Sequence, residues 1–327
     1  MSPPVFPSLR LPRLPSRAGA TLMALSPNAR GALWILLSVA GATGMTLFVR
    51  EASAEVHSVM LAFLRSVLSL LPVLLLVPRL AAGLARGAVG DGPRPIRFTA
   101  WRWHMARGLA LAGALNGGFY AIWQLPVATA SALFFLAPVF ATLASMAVTG
   151  ERVGIRRWLA VLAGFFGALV ILRPGAQALE PAMLAAVGSA MCYGLCLVLG
   201  RVAADRDGPD AVFASSSVVL ALATLPPALF VWSVPVTLAA WGLIAGVVVF
   251  SALRTYTDIR AYAIGDAGFL APFSYLRLLT VGIAGYWLFG EVPDAATWAG
   301  GALIIAATLY IALRERQLSR SRGPGAA

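Results

Sequence analysis

The chain contains no lysine. All 25 of its cations are arginines, set against 13 acidic residues, for a net charge of +12. A phosphate-binding Gly-x-x-x-x-Gly-Lys loop is therefore excluded, and with it the usual route to ATP-driven work. The all-arginine usage fits the codon bias of a GC-rich genome. Histidine is almost as scarce: His57 and His104, in different loops, leave a metal centre with almost no ligands. The two cysteines, Cys192 and Cys196, lie four apart on one helix face, where disulfide geometry is hard to reach, so they read as packing residues. Charge of either sign is also rare, at 12% of 327 residues, about half of what a soluble domain carries. A membrane-embedded enzyme needs clustered His, Asp or Glu facing a cavity. One carboxylate inside an apolar block is too few, so the chain is not expected to be an enzyme, and no cofactor is implied.

Apolar residues, by contrast, make up 60% of the chain, with a mean hydropathy of +0.84. They fall in blocks of about 20, the length that spans a bilayer as a helix. The expected fold is an all-α integral membrane protein of ten transmembrane helices. The spans run over 31–49, 58–78, 103–123, 127–148, 156–173, 182–200, 212–232, 238–260, 268–289 and 295–313. Gln124, Leu125 and Pro126 leave only a tight turn between the third and fourth. Residues 1–30, with Pro3, Pro4, Pro7, Pro12 and Pro15 among Arg10, Arg13 and Arg17, read as a flexible basic tail, and Met23 is an alternative start. Residues 314–327 form a second tail.

The arginines sort by side. The N-terminal tail, the loop carrying Arg79, Arg86, Arg94, Arg97 and Arg102, the Arg152–Arg157 turn, the Arg201–Arg206 turn and the C-terminal tail all fall on one face of a ten-helix protein. The other face has Arg50 and Arg173 against Glu51, Glu55, Glu180, Glu291 and Asp294. Basic loops stay in the cytoplasm. Both termini are thus expected inside a bacterial inner membrane, and the charge excess reports topology, with no nucleic-acid partner.

An internal repeat runs through this pattern. Gly150-Glu151 is matched by Gly290-Glu291, and Trp158 by Trp298, both at an offset of 291 − 151 = 298 − 158 = 140 residues. A five-helix unit repeated after an odd number of crossings must be inverted. Two such halves can exchange conformations around a shared site near the midplane.

Several short stretches carry a family resemblance. The first half has Ala130-Ser131-Ala132-Leu133, Ala137-Pro138-Val139-Phe140, Gly150-Glu151-Arg152, Gly164 and Gly167. The second has Arg260-Ala261-Tyr262, Ala271-Pro272-Phe273, Gly290-Glu291 and Gly300-Gly301. In this order and spacing they resemble the ends of two EamA-type repeats of the drug/metabolite transporter superfamily, over roughly residues 30–314. The halves differ at Pro138, whose offset partner is Leu278. The resemblance implies repeats over 31–173 and 182–313 and a cavity lined mainly by the third, fourth, eighth and ninth helices. It also implies secondary transport, by alternating access, of an amino acid, nucleotide-like metabolite or vitamin. Members of the superfamily that resemble the second half include uptake carriers for S-adenosylmethionine and for riboflavin. The alternatives are a membrane-embedded enzyme and a non-transporting sensor; monomer and homodimer stay open.

Ionisable groups inside a bilayer are costly and mark functional sites. Arg65 in the second helix and Arg277 in the ninth are the leading candidates for binding an anionic group of a small-molecule substrate. Arg107, nearer a helix end, can snorkel. Arg254 and Asp258 share a face of the eighth helix, as an ion pair, a gate or a coupling site. Asn116, Tyr120 and Trp123 form a stripe on the third helix, with Gly113, Gly117 and Gly118 allowing close approach. Tyr193 and Tyr275 can stack a planar group or simply pack. Asn116, Tyr120, Tyr193 and Tyr275 complete the substrate-binding set. Glu151 and Glu291 read as caps or anchors at helix ends, and Pro72 and Pro138 as kinks.

Overall fold

The computed structural model describes residues 27–71, 98–150, 154–172, 180–264, 270 and 273–321. Among these there are eleven α-helices and no strand. They are α1 (Pro27–Ala52), α2 (Ser58–Leu68), α3 (Trp101–Gln124), α4 (Val127–Phe134), α5 (Ala137–Thr149), α6 (Ile155–Leu172), α7 (Pro181–Asp207), α8 (Pro209–Phe230), α9 (Leu238–Ile264), α10 (Leu276–Phe289) and α11 (Ala295–Ser321). Five segments are long and apolar enough to cross a membrane: Ala29–Ala52, Val127–Thr149, Pro181–Asp207, Ala211–Phe230 and Leu238–Asp258; shorter apolar helices stand beside them. A backbone in lipid must satisfy its own N–H and C=O groups, and helices do this within each segment. Large side chains such as Phe166, Leu222, Leu229 and Trp287 point outward, as a lipid-facing surface requires.

The fourth span is two helices rather than one kinked rod. The turn at Phe135–Leu136 separates α4 from α5, and Pro138 sits at the start of α5, where its missing N–H costs nothing. The ninth span breaks in the same place: Tyr275, the offset partner of Phe135, immediately precedes α10. The repeat is also visible in the caps. Gly150 ends α5 at φ 70° and Gly290 ends α10 at φ 65°. Both conformations are left-handed, and glycine adopts them without strain. Pro72 and Glu151 lie outside the described residues.

Packing between the halves follows a two-fold pattern. Helix α1 lies along α9 and α7 along α3; α10 lies against α1 and α5 against α7; α2 meets α8 and α6 meets α11. Exchanging each helix for its repeat partner leaves this scheme unchanged. The architecture is that of a ten-span membrane protein built from two five-span repeats, and an odd number of crossings per repeat turns the second upside down. The α6–α11 crossing is tight: a Cβ built on Gly167 would lie 2.8 Å from the Gly300 carbonyl oxygen. Small residues allow such backbone approach in lipid, where packing replaces the hydrophobic effect.

Candidate functional site

A cavity of about 620 Å³ lies between the halves, a size that holds a nucleotide-sized molecule. It runs from Met45 and Ile122, toward the end of the bundle where α1 and α3 finish, to Ile35, Ser145, Arg201 and Asp258 nearer the end where α1 begins. Six of the eight residues assigned above to substrate binding or to gating and coupling line it: Arg65, Tyr193, Arg254, Asp258, Tyr275 and Arg277.

Arg65, Arg277 and Asp258 each have a hydroxyl partner from a distant segment. Arg65 Nη2 donates to Ser251 Oγ of α9 at 2.5 Å, and Arg277 Nη2 donates to Thr46 Oγ1 of α1 at 3.3 Å. Asp258 Oδ1 accepts from Ser38 Oγ at 2.5 Å, while Oδ2 lies 3.8 Å from Arg254 Nε along the same helix. The Nε atoms of Arg65 and Arg277 are buried without a hydrogen-bond partner. Arg254 is near enough to both Arg65 and Arg277 to repel them, and Asp258 near enough to Arg277 to attract it. On the wall, Phe135 and Tyr275, equivalent residues of the two repeats, pack ring to ring with centroids 5.2 Å apart.

Asn116 and Tyr120 lie outside the cavity. Helix α3 turns a different stripe inward, Leu111, Leu115, Gly118, Phe119 and Ile122. Asn116 Nδ2 bonds back to the Ala112 carbonyl at 3.0 Å, and Tyr120 packs edge-on against Trp123. Arg107 is also outside, held by Ser216 of α8 and packed on Gly200 of α7. Cys192 lies against Gly113, and Cys196 is buried beside Ala110 and Leu199. Helices α1, α2 and α7 contribute to the lining beyond the four helices implied by the resemblance. The tethers Ser38, Thr46 and Ser251, and Arg201 at the rim, were not anticipated. A lone Ser or Thr in an apolar helix gives no signal of what it faces, and Arg201 counted as a loop charge.

The opposite end of the bundle is closed by a second polar cluster. Arg50 Nη2 pairs with Glu291 Oε1 at 2.9 Å, and Arg50 Nη1 donates to the carbonyls of Ile122 and Trp123. Glu291 Oε2 accepts the first N–H of α4, from Val127, at 2.7 Å. One ion pair thus ties the end of α1, the end of α3, the start of α4 and the turn after α10.

A third cluster sits at the other end. His104 of α3 is buried between Asp207 of α7, at 2.9 Å, and Ser215 of α8, at 2.8 Å. Asp207 also accepts from the Ala100 N–H at 2.8 Å and from Thr99. It joins three helices and stands apart from the cavity. Among the described residues, no three His, Cys, Asp or Glu side chains group as a metal site would need.

Fold and site together define a multi-pass membrane protein with a largely apolar chamber between two repeats whose wall carries four arginines. Residues 29–173 and 180–313 each match the EamA-like transporter family, and the chain belongs to that family, within the drug/metabolite transporter superfamily. Among its relatives is a riboflavin transporter of Vibrio cholerae serotype O1, 28% identical over 89% of this chain and 95% of that protein. Another is an S-adenosylmethionine uptake transporter of Rickettsia bellii, 27% identical over 90% and 97%. One crystal structure aligns with a TM-score of 0.54 and 21% identity over 89% of this chain and 99% of that one, a likeness of fold.

Proposed function

We propose that the protein is a secondary carrier that moves a small organic solute bearing an anionic group across the bacterial inner membrane by alternating access. The observation that carries this reading is a chamber between the repeats with Arg65 and Arg277 in its wall and the Arg50–Glu291 ion pair at the end where Ile122 lines it. With the arginine-rich loops in the cytoplasm, this is the inward-facing state. Arg65 and Arg277 take the anionic group through charge-assisted hydrogen bonds, while Tyr193 and Tyr275 hold the remainder. Arg254 and Asp258, linked to α1 through Ser38, form the inner gate. Asn116 and Tyr120 serve helix packing in this reading. The family and the relatives' names, riboflavin transporter and S-adenosylmethionine uptake transporter, support a vitamin- or nucleotide-like cargo.

The test is radiolabelled solute entry into proteoliposomes, with riboflavin, S-adenosylmethionine and a panel of nucleotides and organic acids. Flux of at least one solute above empty vesicles, lost in Arg277→Ala, is the expected result. No flux across the panel refutes the carrier.

A further inference from the structure

The charge on the cavity wall is unbalanced. Among the described residues, four guanidinium groups, Arg65, Arg201, Arg254 and Arg277, face one carboxylate, Asp258. Asp258 is already engaged by Arg254 and Ser38. Among the described residues Arg65 and Arg277, deep in the wall, are hydrogen-bonded only to neutral hydroxyls, those of Ser251 and Thr46, and Asp258 attracts Arg277 without a hydrogen bond. A guanidinium carries five N–H donors. Each of these two spends one donor on a hydroxyl, and each buries its Nε with nothing to receive it. The third arginine, Arg254, bears on both with like charge. Buried cations inside a membrane protein normally pair with acids or backbone carbonyls. Among the described residues no acid is left over to pair with them, and a bound solute can supply the missing charge.

We propose, building on the carrier reading above, that the solute presents a doubly charged anionic group, a phosphate monoester or two adjacent carboxylates, to Arg65 and Arg277, with Arg254 completing the field. A single carboxylate engages one fork; a group with at least three acceptor oxygens and two charges satisfies both and relieves the repulsion from Arg254. Phe135, Tyr275 and Tyr193 form an aromatic wall that suits a planar ring on the same molecule. On this count neutral riboflavin and the cationic sulfonium of S-adenosylmethionine match the cavity less well than a dianion does.

The full-length chain in lipid nanodiscs tests this with matched probes that differ only in charge. The phosphate arm sets riboflavin 5′-phosphate against riboflavin and adenosine 5′-monophosphate against adenosine. The carboxylate arm sets succinate against succinamide. In at least one arm the dianion is expected to bind tenfold or more tightly than its neutral partner by calorimetry. Arg65→Gln and Arg277→Gln should remove that preference while leaving the neutral member's affinity within twofold. Arg277→Lys should retain part of it, and Arg102→Gln, an exposed site, all of it. Equal binding of the members of every pair, failure of every dianion to bind, or parallel loss of both members in the variants overturns the proposal. Transport of neutral solutes with no charge preference overturns the proposal and leaves the carrier standing. Dianion binding without flux of any solute does the reverse.

Discussion

If the Arg50–Glu291 pair holds the outer end shut, breaking it should open that end to water. Arg50 and Glu291 side chains are 26% and 13% exposed, so neither is well hydrated. Removing the carboxylate in Glu291→Ala leaves the Arg50 charge with only the Ile122 and Trp123 carbonyls and leaves the Val127 N–H without its acceptor. An uncompensated buried charge costs about 3–5 kcal/mol, discounted here for partial exposure to about 2. An orphaned N–H adds about 1. Glu291→Gln keeps an acceptor for Val127 and loses the charge, so it should cost about half as much. Each change of about 1.4 kcal/mol is a factor of ten in an equilibrium. Glu291→Ala should therefore raise the outward-open population by about two powers of ten.

The readout is a cysteine at Met45→Cys, in the cavity wall, with Cys192→Ser and Cys196→Ser removing the native thiols. Right-side-out cells are treated with a membrane-impermeant maleimide. Labelling should be slow in the parent and about tenfold faster with Glu291→Gln. With Arg50→Gln and Glu291→Gln together it should be no faster than with either alone, because the pair acts as one unit. Labelling indifferent to all three variants, or additive in the double variant, refutes the latch.

Ser38→Ala removes the hydroxyl that holds Asp258 Oδ1 and links α1 to α9; a hydrogen bond to a charged group should cost about 2 kcal/mol in thermal unfolding in detergent, and an unchanged melting curve means that the tether is idle. Gly167→Ala places a methyl 2.8 Å from the Gly300 carbonyl oxygen and should destabilise the α6–α11 crossing by about 1–3 kcal/mol. The same change at Gly188, which has nothing within 4 Å, should be tolerated, and equal melting temperatures for the two would show that the crossing is loose. His104→Ala cuts the link between Asp207 and Ser215 and should cost about 2 kcal/mol while leaving solute affinity intact. A loss of affinity without a loss of stability would instead join that cluster to the transport site.

The parts of this molecule that were legible in the sequence are those written in local chemistry or in repetition. Apolar blocks marked the crossings. The 140-residue offset that pairs Gly150 with Gly290 also pairs Phe135 with Tyr275, where both spans break. Arg65, Arg277, Arg254 and Asp258 stood out because charge is conspicuous where everything else is greasy, and all four line the cavity. Asn116 and Tyr120 do not line the cavity, because α3 is covered by protein on several sides and a polar stripe in such a helix need not be the one that faces the chamber. The latch was harder still. Arg50 and Glu291 lie 241 residues apart and each looked like an ordinary charge at a helix end; only the inversion of the second repeat brings the turn after α10 against the end of α1. Arg65 and Arg277 stand in the wall of the chamber between the repeats, each with a buried Nε that has no hydrogen-bond partner. A repeat that supplied each cation with its own acid would have a neutral, self-satisfied seam and no reason to open, whereas an unpaired seam leaves the solute to supply the missing charge.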